Sequence, residues 1–179
     1  MHSQLPEQLN ERLSKIKLLA LDVDGVMTDG SVYFTAKGDE MKGFNILDGQ
    51  GIKSMLKNDI TVAIITGRTS PLTEKRAKDL GIEHITQGRE DKKTALEELC
   101  AKLDMKADDV AYVGDDLPDL AAIRLASVGF TVANGHAYVK RHADFCTTLS
   151  GGEGAVREVC DLILIAKELY DDYYSAFLD

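Results

Sequence analysis

Apolar residues in this chain gather in short runs separated by stretches of helical periodicity. The run IKLLALDV at 16–23 is almost unbroken, and TVAIITG at 61–67 repeats the pattern. Runs of this kind suit strands buried on both faces of a parallel sheet. EHIT at 83–86, DVAYVGDD at 109–116, SVGFTVANG at 127–135 and FCTTL at 145–149 extend the series. Between them apolar residues recur three and four apart. DGQGIKSMLKND at 48–59 carries Ile52, Met55 and Leu56 behind Asp48, which reads as a helix cap. SPLTEKRAKDLG at 70–81 has Ser70 as N-cap, Pro71 in its first turn and Gly81 at its end. REDKKTALEELCAKLDM at 89–105 is amphipathic, and LPDLAAIRLA at 117–126 and AYVKRHA at 137–143 read as short helices. A Gly-rich loop then leads into a long helix and tail over 153–179. Residues 1–15 form a polar lead-in with some helical character. One segment breaks the alternation: in SVYFTAKGDEMKGF at 31–44, two β-prone pieces flank AKGD, whose Gly38 can take the positive φ of a hairpin turn.

Strands alternating with helices imply βαβ units joined by right-handed crossovers. The expected fold is therefore α/β: one domain over 1–179, with a doubly wound (Rossmann-like) parallel sheet, helices on both faces and a small β-hairpin excursion. In open sheets of this kind ligands bind outside the carboxyl ends of the strands. Asp22, Asp24, Thr66, Asp115 and Asp116 all fall at such ends, so residues remote in sequence should meet along one edge.

Composition narrows the choice. Hydrophobic residues make up 44% of the 179 and charged residues 28%, which is globular. The formal net charge of −9 comes without a basic stripe, so a nucleic-acid partner is not expected. An anionic substrate would need a local cluster of cations or a metal to meet it. No apolar run approaches a membrane span, and 1–15 lacks the apolar stretch of a signal peptide, so the expected location is cytoplasmic. Cys100, Cys146 and Cys160 are widely spaced without a CxxC pair and read as reduced, buried small hydrophobes.

The candidate chemistry lies in the acids. In LALDVDGVMTDG, Asp22 and Asp24 follow a buried run and, on an extended backbone, project to the same side. With Asp115 brought beside them they cannot all stay ionised without a cation. All-oxygen ligation suits a hard divalent ion such as Mg²⁺, which would also let a carboxylate approach an anionic phosphoryl group. An Asp can then serve as a covalent nucleophile. A helix cap would explain one of these acids but not a pair continued by GDDLPD at a later strand end. Thr66 and the Gly67 amide could donate to a phosphate, although Thr before Gly is common in turns. Lys92 alone reads equally as a solvated helix lysine. Asp29 stands before the hairpin, and a turn role suits it better than a place at the metal.

These pieces, DVDGVMTDG, TGR, Lys92 and GDDLPD, resemble in order the four motifs of haloacid dehalogenase superfamily phosphatases, a match that spans most of the chain, from Asp22 to Asp119. The details, including DGVMTDG, a hairpin in place of a cap domain, the run through ITGRTS and the late GGEGAVREV, resemble a cap-less branch acting on a phosphorylated sugar acid in lipopolysaccharide precursor synthesis. The resemblance implies Asp22 as nucleophile and Asp24 as acid and base. It implies Thr66 and Lys92 on the transferring group, and Mg²⁺ held by the Asp22 carboxylate, the Asp24 backbone carbonyl and Asp115. Asp116 and Asp119 would position Lys92 or metal-bound water. Arg68 and Arg76 would lie near the substrate and, with Gly67, bind it.

Such an enzyme normally needs a lid to keep water from its intermediate. No cap domain fits between Gly25 and Thr66 or between Arg68 and Lys92. The hairpin is too small to stand alone. The resemblance implies a homotetramer in which hairpins, and with them the C-terminal tail, cover neighbouring sites. The Gly-rich 150–158 segment could lie against a ligand or subunit, or be a plain linker. Competing readings are a phosphatase for another nonulosonate phosphate, a broad small-molecule phosphatase, a catalytically dead scaffold, and a phospho-accepting receiver module. The receiver places its lone acceptor Asp at a middle strand, where this chain has Thr66. An intact Asp24 argues against the dead scaffold.

Overall fold

Each buried run becomes a strand. A computed structural model describes residues 5–178; positions 1–4 of the lead-in and Asp179 of the tail lie outside the described residues. Six parallel strands form one sheet in the order β5-β4-β1-β6-β7-β8: β1 (Leu18–Leu21), β4 (Thr61–Ile65), β5 (His84–Thr86), β6 (Val110–Gly114), β7 (Val128–Thr131) and β8 (Phe145–Cys146). Leu18 pairs with Thr61 on one side and Val110 on the other, so β1 is central and the chain reverses its winding there. That reversal is where open α/β sheets bind ligands.

Side chains of the sheet sort by alternation into two cores. Leu19, Leu21, Val62, Ile64, Val113 and Phe130 face the layer of α1 (Glu7–Ser14), α2 (Ile46–Lys57), α3 (Pro71–Leu80) and α7 (Ala155–Ala166). Leu18, Ala20, Ala63, Ile65 and Tyr112 face α4 (Lys92–Lys102), α5 (Leu120–Leu125) and α6 (Ala137–Lys140). Continuing the β1 alternation one residue past the strand puts Asp22 on the α4 side, which is why a residue of α4 can reach it.

The hairpin forms a separate two-stranded ladder, β2 (Tyr33–Phe34) with β3 (Glu40–Met41), closed by Gly38 at φ +88°. Three expectations change. The cap of α2 is Asn45, whose side chain accepts from the Leu47 amide; Asp48 is instead buried within the first turn, accepting from the Arg157 amide at 2.9 Å. The expected long C-terminal helix breaks after α7 at Lys167–Leu169, where Glu168 has φ +59°, and resumes as the short α8 (Tyr170–Ser175). Of the three free cysteines Cys100 and Cys160 are buried, but Cys146 is exposed, because the edge strand β8 is covered on one side only. Among the described residues no helix is long and apolar enough to cross a membrane.

Candidate active site

The loop after β1 is shaped by small residues and one threonine. Thr28 is buried and its Oγ1 accepts from the Gly25 and Gly30 amides at 3.2 and 3.3 Å, folding 22–30 into a tight turn. Gly25 has φ +97°, and a Cβ there would stand 2.1 Å from Asp115 Oδ2, so only glycine lets the two acidic loops approach. The Gly-rich segment packs on this loop from the other side. A Cβ on Gly151 would fall 1.7 Å from the Gly25 carbonyl oxygen, and the Gly152 amide donates to Val26 O at 3.0 Å. The segment thus braces the chain's own first loop instead of serving as a plain linker.

Asp22, Asp24, Thr66, Gly67, Arg68, Lys92, Asp115, Asp116 and Asp119 all line one cavity of about 370 Å³ at the carboxyl edge of the sheet. Arg76 is the exception. It leaves α3 away from this cavity, its Nη2 donates to Asn45 O at 3.1 Å, and its guanidinium lies over the Phe44 ring.

At the cavity floor Lys92 Nζ lies 2.9 Å from Asp22 Oδ1 and 2.6 Å from Asp119 Oδ1, with all three side chains almost wholly buried. Lys92 is the first residue of α4, so the helix start fixes its stem. Burial alone would lower the Lys92 ammonium, but the Asp22 and Asp119 carboxylates outweigh it and hold its pKa above the ordinary lysine value. Asp119 has partners at both oxygens. Oδ1 accepts from Lys92 and from the Tyr112 hydroxyl at 2.8 Å, and Oδ2 from the Asp115 and Asp116 amides at 3.3 Å. Asp116, expected to help position Lys92, is exposed and contributes its amide to Asp119. Asp29 accepts from the Ser31 amide and the Tyr33 hydroxyl at the root of the hairpin, the turn role expected of it.

The carboxylates test whether a cation belongs here. One oxygen each of Asp22, Asp115 and Asp119 lies within 4.8 Å of the others. Burial, reinforced by the Asp119 charge and opposed by Lys92, pushes the Asp22 carboxyl up to about 7. Burial first and Asp119 second push Asp115 up to about 6. Because Asp119 is already hydrogen-bonded on both oxygens, Asp22 and Asp115 are the acids left to meet a cation. Two crowded, oxygen-only donors driven toward protonation fit a hard divalent ion.

Three contributors were not singled out from sequence. Lys42, just past β3, donates to Asp24 Oδ1, and Glu40 Oε1 accepts from Arg68 Nη2 at 2.6 Å. Their signal is an opposite-charge pair two apart at the end of the hairpin, which reads as ordinary surface charge. Tyr112 was hidden as one more bulky residue in a buried strand.

Comparison with known proteins places this arrangement. Residues 82–159 match the family model of the haloacid dehalogenase-like hydrolases. The chain is 45% identical over 93% of its length to the 3-deoxy-D-manno-octulosonate 8-phosphate phosphatase of Yersinia pestis, covering 89% of that protein. It is 46% identical over 90% of its length to the enzyme of the same name from Escherichia coli K12, covering 86% of it. Its fold superposes with a TM-score of 0.95 on the Moraxella catarrhalis 3-deoxy-D-manno-octulosonate 8-phosphate phosphatase in complex with magnesium ion, phosphate ion and KDO, at 44% identity over 97% of this chain and 99% of that one. With this likeness running through nearly the whole length of the chain, it belongs to the haloacid dehalogenase-like hydrolases.

Proposed function

We propose that this protein is a magnesium-dependent phosphatase that hydrolyses 3-deoxy-D-manno-octulosonate 8-phosphate to the free sugar acid and phosphate, a step of lipopolysaccharide precursor synthesis. The observation that carries the reading is the buried Asp22–Lys92–Asp119 line at the floor of a cavity that Asp24 also borders. Asp22 is the nucleophile: its oxygen bonds to phosphorus as the ester P–O bond breaks. Asp24 gives its proton to the departing sugar oxygen. It then takes a proton from the water that attacks the aspartyl phosphate, and Asp22 is released with inorganic phosphate. Proton transfer of this kind is worth roughly a hundred- to ten-thousandfold. Lys92 neutralises the transferring group and holds Asp22 on line. Thr66 Oγ1 and the Gly67 amide donate to phosphoryl oxygens. The Asp22 and Asp115 carboxylates and the Asp24 backbone carbonyl would hold Mg²⁺, which when bound offsets the repulsion between carboxylate and phosphate. Asp119 supports Lys92 from beneath, and Asp116 supports Asp119 through its amide.

Arg68 is the arginine placed to read the substrate carboxylate, since it lines the cavity. Arg76 acts at one remove, through the Phe44–Asn45 turn that it holds. The whole chain works as one domain in the cytoplasm and assembles as a homotetramer. Two features support the assembly: Val32, Phe34 and Met41 on the hairpin are exposed, and beyond α8 Phe177 and Leu178 are exposed at the end of the tail. Residues of this kind gathered on a small excursion suit contact with neighbouring subunits. The test is phosphate release from a panel of phosphorylated sugar acids and neutral sugar phosphates, with and without EDTA. Preference for the octulosonate ester, abolished by EDTA and restored by Mg²⁺, is expected. A flat profile across the panel would remove the substrate assignment.

A further inference from the structure

The hairpin does more than project outward. Its Lys42 side chain is only 3% exposed, although the strand it follows is largely open to solvent. Lys42 Nζ donates to Asp24 Oδ1 and lies 3.9 Å from Glu40 Oε1. The same Glu40 oxygen accepts from Arg68 Nη2 at 2.6 Å, and Arg68 Nε stands 3.8 Å from Asp24 Oδ2. The four side chains therefore close a ring of alternating charge, Asp24–Lys42–Glu40–Arg68. The ring is fixed to the body of the protein: Glu40 Oε2 accepts from Ser70 Oγ at 2.9 Å, and the buried Ser70 caps α3.

A ladder of two residues per strand is marginal alone. Covering a lysine ammonium is costly unless a partner meets it. The ion ring supplies that partner, and through it the hairpin reports on Asp24, which has no other lysine ion-pair partner among the described residues. We infer that Lys42, delivered by the chain's own hairpin, is a positioning residue that holds the Asp24 carboxyl in line with the leaving group. In the first chemical step the Asp22 oxygen–phosphorus bond forms and the ester P–O bond breaks. The Asp24 proton passes to the departing oxygen, and Asp24 is left as a carboxylate against Lys42. The hairpin thereby takes over inside one subunit part of the work of a missing cap: it orients the acid as well as covering it. This inference rests on the phosphatase reading above.

The experiment compares two esters in the Mg²⁺-loaded enzyme. A simple alkyl phosphate leaves as a strongly basic alkoxide and needs the proton; p-nitrophenyl phosphate leaves as a stable phenolate and needs it far less. For each variant the quantity read is the ratio of alkyl to aryl turnover, in which the amount of folded enzyme cancels. Asp24→Asn is expected to lower the ratio at least about tenfold, and Lys42→Met to lower it in the same direction by about tenfold, the scale of a misplaced catalytic group. Lys42→Arg, which keeps the cation, is expected to restore most of it. If Asp24→Asn lowers the ratio but Lys42→Met leaves it unchanged, the positioning role is overturned while the phosphatase reading stands. If Asp24→Asn itself leaves the ratio unchanged, the acid assignment falls, and this inference with it.

Discussion

Lys92 Nζ sits 2.9 Å from Asp22 Oδ1, and neither side chain is more than 6% exposed. The pair is shut off from water, and Asp119 completes it from below. A buried ion pair is weak evidence for stability, but removing one partner leaves an uncompensated charge and costs about 3–5 kcal/mol. Lys92→Met strands two carboxylates, Asp22 and Asp119. The expected outcome is loss of turnover together with a fall in unfolding free energy of about 3 kcal/mol in EDTA. Urea denaturation beside phosphate release checks both. An active variant of unchanged stability would show that Lys92 is not the counter-charge of Asp22.

The two raised acids make metal binding pH-dependent with a defined sign. Asp22 and Asp115 are held at about 7 and about 6, above the ordinary 3.8. In the metal-free protein their contribution to stability is fully present below the unfolded value and is lost as pH rises through 6 to 7. A cation binds the ionised form, so it competes with protons. Mg²⁺ is therefore expected to raise the melting temperature strongly near about pH 8 and little near about pH 5. Thermal denaturation in Mg²⁺ and in EDTA at the two pH values measures it. An equal increment at both would contradict ligation through these acids.

What the sequence made legible follows from how local each signal is. Buried strands and the caps of α3 depend on neighbours in the chain, and Ser70 and Gly81 stand where expected, with Ser70 accepting from the Leu72 amide and Gly81 at φ +83°. The acids of the site were legible because strand ends in an open sheet share one edge. The misses are long-range. Asp48 looked like a cap because it precedes an apolar helical pattern, but its partner is an amide of α7 more than a hundred positions away. The resemblance puts Arg76 near the substrate, yet its Nη2 donates to Asn45 O and its guanidinium lies over the Phe44 ring. Nothing in the sequence marks Glu40 and Lys42 as more than hairpin charge, and only the fold of the hairpin root brings them to Asp24 and Arg68.

Asp48 provides a stability test away from the catalytic cavity. Its Oδ1 accepts from the Arg157 amide at 2.9 Å, while its buried Oδ2 has no hydrogen-bond partner among the described residues. Burial pushes its carboxyl up to about 6, against the backbone amides at the start of α7 and the Arg76 charge, which pull it down. A raised carboxyl favours the folded state below its unfolded value and loses that contribution as pH climbs through about 6. Asp48→Asn keeps an acceptor for Arg157 and removes the charge. The variant is expected to be more stable than the parent near about pH 8, by roughly 1–2 kcal/mol, and to lack that part of the pH dependence. Urea denaturation across the range decides it; a variant weaker than the parent at the higher pH would mean that the carboxylate is compensated in the fold.

The exposed face of the hairpin tests the assembly separately from the chemistry. Phe34 is 64% exposed on a ladder only two residues deep, with Val32, Tyr33 and Met41 also open to solvent. An apolar cluster of this kind on a small excursion is costly to leave in water and suits contact with another subunit. The ion ring at the hairpin root uses Glu40 and Lys42; Phe34 pairs directly with Glu40, whereas Met41 pairs with Tyr33 and by alternation points to the other face, so Met41 can be changed while the root stays tied to Arg68 and Asp24. Met41→Asp puts a charge where neighbouring hairpins would meet, and a buried unpaired charge there is strongly unfavourable. Sedimentation velocity is expected to show the parent as a tetramer and the variant as smaller species at the same concentration. Turnover of the sugar-acid phosphate should fall with the loss of cover from neighbouring subunits, while the monomer's melting transition keeps its cooperativity. An intact tetramer in Met41→Asp would place the subunit contacts elsewhere on the molecule.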